Sequence, residues 1–558
     1  MRKACVLAHY VITPIGAGSL ANYMAVRQGE SSLRFHDSLF GLPEPAYASV
    51  FDYNAVRAFI GPVSQSLTNF EALCVASAAP AILMSGIDAS SPDVRFVIST
   101  TKANVSLLGT PDFTDADVAA EKVVKALGGT TAPVVVSNAC ISGLAAQIVA
   151  KRLIESGNAR YVVVIGADEL SRFIVSGFQS FKALSIDACR PFDADRCGLN
   201  LGEASATIIF EGKDSPAPDD FVIADGAIRN DANHISGPSR TGEGSYQCLK
   251  ALNISIDNLP AFINAHGTAT LYNDEMESIA ITRAGLAEVP VYSLKGYFGH
   301  TLGAAGVLET IMSLMAAEEG CILPTLGFST LGVSKPIKVT SETQKLDDIN
   351  SFVKLMSGFG GVNAAVHYCR GYSSDSMSEK DMYVRDSCVI DNSCPLDELY
   401  RQNGIRYPKF HKMDGLCKLA FIAAEKLLGV SDCAENQSDT AVVLVTKTGC
   451  DSNDCKYVDT ISGEEFFPSP AIFVYTLPNI ATGEIAIRHH FTAETSTYLS
   501  PSHPEDIYEL VKTTFADSPI NNILLIYAEY ESADSFGCRA WLIGNQKTDQ
   551  PFNTQTIS

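Results

Sequence analysis

Basic residues are scarce in this sequence. Its 558 residues include 41 Lys and Arg against 63 Asp and Glu, which gives a formal net charge of −22 at pH 7. Proteins that bind nucleic acid or anionic membrane surfaces rely on basic patches. The composition therefore argues against both functions. The acidic excess is larger after residue 370 than before it, although that part of the chain is shorter.

Paired cysteines and long apolar runs are also lacking. The fifteen cysteines include no C-x-x-C pair, which argues against a disulfide framework or a zinc ribbon and favours a reducing cytosol. No apolar run approaches the roughly 20 residues that span a bilayer. The start, MRKACVLAHYVITPIGAGS, has no small-residue cleavage site, so we expect a buried first strand, with a signal peptide as the alternative. These features predict a cytoplasmic protein without a membrane span.

Short β-rich runs alternate with stretches of helical period over residues 1–370, which predicts an α/β fold with buried sheets. The segment 371–381, GYSSDSMSEKD, is polar and is interpreted as a linker. Residues 382–558 have an apolar helix and strands of their own. The sequence thus predicts two α/β regions joined by a short linker.

The two predicted regions echo one another. Cys74 and Cys417 each follow a leucine in an apolar helix, 343 positions apart, and Lys102 and Lys447 each follow a β-rich run, 345 positions apart. A nearly constant offset suggests a partial internal duplication. Chance matching of α/β patterns is the alternative.

The segment PVVVSNACISGLAAQIVAKRLIESG, 133–157, runs from an apolar strand into an amphipathic helix, with Cys140 at the joint. A thiol there would face the unpaired N–H groups and the positive dipole end of the helix. We therefore expect a lowered thiol pKa and a thiolate near neutral pH. From this stretch alone, a buried structural cysteine is the alternative.

Two histidines stand at similar positions. AFINAHGTATLYNDEMES places His266 just past a strand, and SLKGYFGHTLGAAGVLET places His300 in a Gly-rich loop before a helix. Each histidine alone is more often structural than catalytic. Together with Cys140, which also lies where a strand ends, they suit a thiol site with two imidazoles.

These segments resemble the β-ketoacyl-acyl-carrier-protein synthases, the decarboxylating condensing enzymes of the thiolase fold. The match covers about residues 1–370 and rests on NACISG, RPFDADRCGLNLGEAS, NAHGTATLYNDEMES, KGYFGHTLGAAG and SGFGGVNAAV, in that order. It implies a layered αβαβα fold in which Cys140 accepts the acyl group, while His266 and His300 hold the malonyl thioester during decarboxylation. The elongating type fits, because GYFGH supplies a histidine and SGFGG lacks a cysteine.

The same resemblance implies the partners and the supporting residues. Malonyl and acyl thioesters would arrive on an acyl carrier protein, whose phosphopantetheine makes a cofactor or metal unnecessary. The backbone N–H groups of Cys140 and Phe359 would form the oxyanion hole, and Phe359 would gate the acyl pocket. Two N–H donors aimed at the enolate oxygen would stabilise charge that develops in the transition state. The charged matches, expected to support the site rather than to transfer protons, are Lys295, Glu309, Asp274 and Glu277.

One family segment is missing from its usual place. A P…N…G segment normally precedes the nucleophile by about twenty residues and lines the pocket of the partner subunit, whereas GTPDFTDADVAAEKVVKALGGTT lacks this pattern. The segment FFPSPAIFVYTLPNIATGEIAI, 466–487, resembles it instead. We therefore expect Ile472 and Phe473 to contribute to the acyl pocket of the first region.

Residues 382–558 resemble the N-terminal half of a ketosynthase that cannot catalyse. Aligning LIYAE, 525–529, with VIGAD, 164–168, puts Ser500 or Pro501 at the place of the nucleophile. Such a half, a smaller half-thiolase-like α/β domain, is similar to the chain-length-factor subunits of polyketide ketosynthases, including shortened versions associated with aryl polyene pigments. An unrelated acidic accessory domain is the alternative.

The leading functional hypothesis is a decarboxylating Claisen condensation in fatty acid or polyketide biosynthesis. A non-catalytic pseudo-ketosynthase that sets chain length is one alternative, and a decarboxylase or acyltransferase that does not condense is another. We expect 382–558 to dock where a second subunit would sit, so that the chain is a monomer imitating a heterodimer. A homodimer is the alternative assembly.

Overall fold

The computed structural model describes residues 2–255, 258–371, 380–429, 438–462, 466–499, 503–517 and 519–557. Most of the predicted linker, 371–381, therefore lies outside the described residues. The chain forms three five-stranded arrays of mixed direction, sheets A, B and C. Sheet A consists of β1 (Lys3–Thr13), β2 (Val94–Ser99), β3 (Val134–Val136), β4 (Tyr161–Asp168) and β5 (Ala204–Lys213).

The other two sheets follow in chain order. Sheet B consists of β6 (Phe221–Asn230), β7 (Ile263–Asn264), β8 (Pro290–Tyr292), β9 (Ser351–Gly358) and β10 (Val362–Arg370). Sheet C consists of β11 (Tyr383–Asp391), β12 (Thr440–Val445), β13 (Thr495–Tyr498), β14 (Asn522–Ser532) and β15 (Ser535–Gly544). Seven short strands lie outside this set: Gly16–Ala17, Arg34–His36, Ala46–Ser49, Leu201–Gly202, Cys321–Ile322, Lys338–Val339 and Gln344–Lys345.

All three sheets have the same strand order. Sheet A runs β3-β2-β4-β5-β1, sheet B runs β8-β7-β9-β10-β6, and sheet C runs β13-β12-β14-β15-β11. In each, the first strand lies at one edge and the third strand at the other. The repeated winding accounts for the sequence echo between residues near 74 and near 417.

The α-helices of the described residues are α1 (Ser19–Gln28), α2 (Tyr53–Ile60), α3 (Asn69–Ser85), α4 (Ala116–Ala126), α5 (Ser142–Glu155), α6 (Arg172–Ser180), α7 (Glu243–Ala251), α8 (Leu271–Arg283), α9 (Lys295–Phe298), α10 (Ala305–Glu318), α11 (Leu396–Gln402), α12 (Gly415–Leu428), α13 (Asp451–Ser462), α14 (Pro470–Val474), α15 (Asn479–His489), α16 (Pro504–Phe515) and α17 (Thr554–Ile557). Helices α5 and α10 lie between sheets A and B, α3 covers the outer face of sheet A, and α7 covers that of sheet B. The predicted αβαβα layering is confirmed. Sheet C is covered by α12 on one face and α16 on the other.

The helices that cover sheets A and C begin and end with similar local signals. Helix α3 starts with a capping box, in which Thr68 and Glu71 each accept a hydrogen bond from the other's backbone N–H. Helix α12 starts at Asp414, whose carboxylate accepts the N–H groups of Leu416 and Cys417. Gly86 and Gly429 end the two helices. Each helix thus buries an apolar face on its sheet at the same place in the chain order.

Sheets A and C join edge to edge. Strands β3 and β13 are antiparallel, with Val136 opposite Tyr498, and the N–H of Leu499 donates to the carbonyl of Val135 at 3.0 Å. On the next layer, Arg152 of α5 forms a buried two-pronged ion pair with Glu494, at 3.0 and 2.6 Å. The two regions therefore share backbone hydrogen bonds and a buried charge pair.

Among the residues that the structure describes, no single helix is long and apolar enough to cross a membrane, although one sharply bent pair, Tyr53–Ser66 and Asn69–Ser85, together meets the length and composition of a span.

Candidate active site

Cys140 lies in a 3₁₀ turn, Ala139–Ile141, between the end of β3 and the start of α5. Ala139 takes a positive φ of 48°, which turns the chain sharply from strand to helix. The Ser142 hydroxyl accepts the N–H of Asn138 at 2.8 Å and donates to the carbonyl of Ala139 at 2.6 Å. This pair of bonds fixes the turn that holds the thiol.

Two buried acids fix the loop that carries His266. Glu277 of α8 accepts the N–H groups of His266 at 2.6 Å and Gly267 at 2.8 Å. Asp274 accepts the N–H of Thr268 at 3.0 Å. Burial raises the pKa of Asp274 to about 6 and that of Glu277 to about 7. Because both acids accept hydrogen bonds from backbone N–H groups, they support the loop that carries His266.

The orientation of His300 follows from one backbone contact. The N–H of Leu302 donates to Nδ1 of His300 at 3.4 Å, so in a neutral ring the proton is on Nε2. Nε2 is buried and has no hydrogen-bond partner among the described residues. His300 therefore presents an unused N–H donor to the site.

The structure brings the three predicted catalytic side chains together. The Cys140 sulfur and a ring nitrogen of each histidine lie within 4.8 Å of one another. The rings of His266 and His300 are 5.1 Å apart between centroids and meet edge to face at 84°. Three such atoms could ligate a metal ion, but a cation there would lie near two buried lysines. The cluster suits an anionic intermediate better.

Both imidazoles are neutral. Burial, followed by the charge of Lys295, holds the pKa of His266 and that of His300 well below the usual histidine range. Lys354 acts in the same direction on both pKa values. A neutral imidazole can donate one N–H to an enolate oxygen and can also accept a proton from a thiol.

The expected lowering of the Cys140 pKa was wrong. Burial raises the pKa of the Cys140 thiol to about 12, while Lys295 and the N–H groups of Cys140 and Phe359 act to lower it. The helix start is where the sequence places it, but desolvation of this half-buried thiol outweighs those contacts and disfavours the charged thiolate. The resting site thus pairs a protonated thiol with two neutral imidazoles.

A second lysine, missed in the sequence, joins the predicted charged pair. Lys295 and Glu309 form a buried ion pair, and Nζ of Lys354 lies 2.7 Å from the other carboxylate oxygen of Glu309. Lys354 also donates to the carbonyl of Ala265, next to His266, at 3.0 Å. Burial alone would raise the pKa of Glu309, but the two lysines hold it below its usual value. Burial lowers the pKa of Lys354 to about 8.

The oxyanion-hole residues assigned by the resemblance lie against the thiol. The backbone N–H groups of Cys140 and Phe359 lie close enough to the Cys140 sulfur to act in the direction of a lower pKa. The loop of Phe359 is held from sheet C, because Nδ2 of Asn479 donates to the Phe359 carbonyl at 2.7 Å. A Cβ on Gly483 would lie 2.6 Å from the carbonyl of Gly360, so only glycine allows this close approach. Asn479 is a positioning residue that the sequence interpretation missed.

A cavity of about 360 Å³ opens beside the thiol, and we call it the acyl cavity. Cys140, Phe359 and Leu302 line it from the first region, and Phe473, Thr476 and Leu477 line it from the second. Ile472 does not line this cavity. Its carbonyl accepts a hydrogen bond from Asn453 at 3.0 Å, and its half-buried side chain packs against a cluster of buried apolar residues.

Aromatic rings close the acyl cavity. The Phe473 ring has its centroid 5.9 Å from that of Phe178 and 5.1 Å from that of Tyr457. Phe178 in turn stacks on Phe359 at 6.1 Å. A Cβ at Gly177 would lie 2.1 Å from the Phe473 ring, so α6 and α14 are in close contact. Phe473 is thus wedged between the two regions.

The predicted counterpart of the nucleophile, Ser500 or Pro501, lies outside the described residues. The strand pairing gives a second way to find the counterpart of Cys140. Val136 of β3 lies opposite Tyr498 of β13, and the two strands hold the same place in sheets A and C. Cys140 is four positions after Val136, and four positions after Tyr498 the sequence has Ser502. Neither count leads to a thiol.

Comparison with known proteins gives the following matches. Residues 77–215 match the family model "Beta-ketoacyl synthase, N-terminal domain", and residues 221–329 match "Beta-ketoacyl synthase, C-terminal domain". The chain is 33% identical over 250 residues to 3-oxoacyl-[acyl-carrier-protein] synthase 2 of Rhizobium meliloti (strain 1021), covering 41% of this chain and 59% of that protein. It is 32% identical over 264 residues to the tetracenomycin polyketide synthase ketoacyl synthase alpha subunit of Streptomyces glaucescens, covering 43% and 61%.

Solved structures share the fold. A PfaC ketosynthase-chain length factor structure matches with a TM-score of 0.77 at 13% identity, covering 98% of this chain and 78% of that one. The ketosynthase ApeO in complex with its chain length factor ApeC, from Xenorhabdus doucetiae, matches with a TM-score of 0.59 at 23% identity, covering 66% and 98%. The chain spans about three fifths of the length of the curated relatives named above.

Proposed function

We propose that this chain, a thiolase-fold member of the β-ketoacyl synthase family over residues 77–329, condenses an acyl group with a malonyl thioester. The observation that carries the proposal is the meeting of the Cys140 sulfur with His266 and His300 beside the acyl cavity. Names of relatives from fatty acid and polyketide synthesis support the same reaction class.

The first step would be acyl transfer to Cys140. The thiol loses its proton to a neutral imidazole as sulfur attacks the acyl thioester, and the carrier thiol leaves with that proton. The N–H groups of Cys140 and Phe359 would bind the oxyanion of the tetrahedral intermediate. Because burial raises the thiol pKa, free thiolate is rare at rest, and transfer depends on proton removal during attack.

The second step would be decarboxylation. Loss of CO₂ from the malonyl thioester leaves its bonding electrons in an enolate, whose oxygen needs donors. Nε2–H of His300 has no other partner in the described structure, and His266 stands edge-on beside it. The enolate carbon then attacks the acyl-Cys140 carbonyl. The new C–C bond displaces the Cys140 sulfur, which recovers a proton.

The second region would act as a built-in chain-length factor. It supplies Phe473 to the acyl cavity and Asn479 to the Phe359 loop, as a partner subunit would. The neighbours that pair a ketosynthase with a chain length factor support this division of labour. We infer that the chain is a monomer imitating a heterodimer, and that its pathway is fatty acid or polyketide synthesis, aryl polyene synthesis included.

An acyl carrier protein would deliver both substrates on phosphopantetheine, so the reaction needs no bound cofactor. A reducing compartment such as the cytoplasm suits the chain, because all fourteen cysteines of the described residues are free thiols and Cys140 must remain one. The alternative, a non-catalytic chain-length subunit, fits poorly with an assembled Cys-His-His cluster.

A single-turnover reaction tests the function. Full-length protein, an acyl-carrier protein and malonyl-carrier protein should yield CO₂ and β-ketoacyl-carrier protein in equal amounts. Release of CO₂ without the condensed product would indicate a decarboxylase, and formation of acyl-enzyme alone would indicate an acyltransferase. No acyl-enzyme at all would favour the non-catalytic subunit.

Light scattering tests the assembly. We expect the full-length protein to have the mass of one chain, 59.7 kDa. Because β13 already occupies the edge of β3, a second chain cannot pair there. A dimer joined through β3 of both chains would overturn the inference.

A further inference from the structure

A second cavity lies between the two regions, and we call it the crevice. It lies between the loop after β2 and the loop after β12. Thr101 and Lys102 line the crevice and also the acyl cavity that holds Cys140. The two spaces therefore share a wall, and the Lys102 side chain is part of it.

The shared wall is charged rather than apolar. Nζ of Lys102 forms a buried ion pair with one carboxylate oxygen of Asp454 and donates to the carbonyl of Thr476 at 2.8 Å. Thr476 lines the acyl cavity, whereas Asp454 lines the crevice. An apolar acyl chain needs no charge at this place, so the pair has a role that a plain hydrocarbon pocket does not explain.

One acceptor in the wall has no donor. Oδ1 of Asp454 is buried and lacks a hydrogen-bond partner among the described residues, although Oδ2 is paired with Lys102. Burial raises the pKa of Asp454 to about 6, against the pull of Lys102. A buried acceptor left unpaired costs free energy, so its presence in a cavity wall points to a ligand that donates.

The surrounding charges favour a neutral donor. Asp451 hydrogen-bonds Asp115, and burial together with Asp454 and Asp115 raises the pKa of Asp451 to about 8. Asp451 therefore keeps its proton near neutral pH. With Lys102 and Lys447 on the same walls, the crevice is close to balanced in charge. A hydroxyl satisfies Asp454 without adding the charge that an ammonium group would bring.

We propose that the acyl channel continues past Lys102 and that the crevice binds a hydroxyl at the far end of the acyl chain, with Oδ1 of Asp454 as acceptor. This rests on the proposed function, because only an acyl group attached to Cys140 would reach the crevice through the shared wall. A chain that ends in a methyl group would leave the acceptor unpaired. For a chain too short to reach the shared wall, the choice of methyl or hydroxyl as the terminal group should make no difference to binding.

The test is acylation of Cys140 in the full-length protein by pantetheine thioesters, followed by mass spectrometry. Pairs of straight chains of about four to twelve carbons, one ending in methyl and the other in hydroxyl, give the comparison. Short pairs should react equally. Pairs long enough to reach Asp454 should favour the hydroxyl by roughly fivefold, the effect of about one hydrogen bond.

The double variant Lys102→Met/Asp454→Leu removes the charge pair and keeps similar volume, a change that buried pairs often tolerate. In this variant the ratio of the hydroxyl to the methyl acylation rate should fall to about one at every chain length, whatever its overall rate, because the ratio cancels any general effect of Lys102 on the acyl cavity. An unchanged preference in this variant, or no preference in the wild type at any length, overturns the proposal. Failure of short chains to acylate wild-type Cys140 would instead overturn the proposed function.

Discussion

The loops that follow β2 and β12 start from the same place in sheets A and C but differ in length and use. Between Ser99 and Val134 the first region has one α-helix, α4, whereas between Val445 and Thr495 the second has three, α13 to α15. The added helices carry Phe473 and Asn479 to the site of the other region. The longer loop of the second region therefore supplies side chains to the surroundings of Cys140.

The helices that follow β3 and β13 differ in how many of their residues are buried. Helix α5 is buried at thirteen of its fourteen positions, because sheet B covers it. Helix α16 follows β13 in the same way but has six buried residues, and its exposed positions include Glu505. No second sheet follows sheet C in the described residues. The face that has no sheet above it became polar, which accounts for part of the acidic excess after residue 370.

The two regions differ most sharply at Cys140, the proposed nucleophile. Cys140→Ala should abolish acyl-enzyme formation, because the equivalent place in the second region has no thiol to replace it. Mass spectrometry after incubation with acyl-carrier protein is the measurement. Cys74→Ala and Cys417→Ala are matched controls, since these buried thiols lie on α3 and α12, the equivalent helices of the two regions. An adduct on the Cys140→Ala protein would refute the assignment.

His266 and His300 come after strands of sheet B, and the described part of the second region has no equivalent of that sheet. No residue of the second region should therefore replace either histidine. His266→Ala and His300→Ala should each slow CO₂ release from malonyl-carrier protein by roughly 10²-fold, because each removes an enolate donor, while Cys140 still acylates. His300→Gln retains an amide N–H and should recover part of the rate. Undiminished CO₂ release in both alanine variants would mean that the two histidines are structural.

A variant of Asn479 tests how much the second region contributes to the site. Asn479→Ala removes the donor to the Phe359 carbonyl, which should slow acylation by roughly tenfold and cost about 1–3 kcal/mol of unfolding free energy. Asn453→Ala is the control, because Asn453 bonds a backbone carbonyl of the same region away from the thiol. Equal acylation rates in the two variants would show that the Phe359 loop does not depend on sheet C.

Lys354 allows a smaller, pH-dependent test within sheet B. Lys354 and Lys295 both lower the pKa values of His266 and His300, so Lys354→Gln should let those values rise. Decarboxylation, which uses the neutral rings, would then be lost at a higher pH as the solution is acidified. Lys345→Gln removes an exposed charge instead and serves as control. Identical acid limbs in the rate profiles of the two variants would contradict this role.

The subtlest effect concerns product length rather than rate. Phe473→Trp should shorten the products and Phe473→Ala should lengthen them, because this ring lines the acyl cavity. Ile472→Phe should leave product length unchanged, although the sequence treats residues 472 and 473 alike. Product analysis by mass spectrometry decides, and a change produced by Ile472→Phe alone would reverse the assignment.

Sequence motifs could identify the site because its chemistry needs few residue types at fixed places. Cys140 follows β3 of sheet A, whereas His266 and His300 come after β7 and β8, which are parallel neighbours in sheet B, and the packing of the two sheets brings the three side chains together. The layered fold was predictable for the same reason, since alternating strand and helix patterns leave few arrangements.

The sequence could not predict properties that depend on distant contacts. The expected Cys140 pKa was wrong because the desolvation that raises it comes from residues packed around the turn in the folded chain, which the local sequence does not show. The sequence around Lys354 shows only a single lysine in an apolar strand, which does not predict its contact with Glu309. Ile472 and Phe473 are neighbours in α14, but adjacent helical residues point about 100° apart, so only one of them can face the cavity.

The pairing of β3 with β13 also sets an order of events in synthesis. Val136 leaves the ribosome 362 residues before Tyr498, roughly 20–70 s at about 5–20 residues per second. During that time the apolar edge of sheet A is unpaired, and such edges invite contact with other chains. The nascent protein therefore carries an unpaired strand edge close to Cys140 until β13, which ends at Tyr498, has been synthesised.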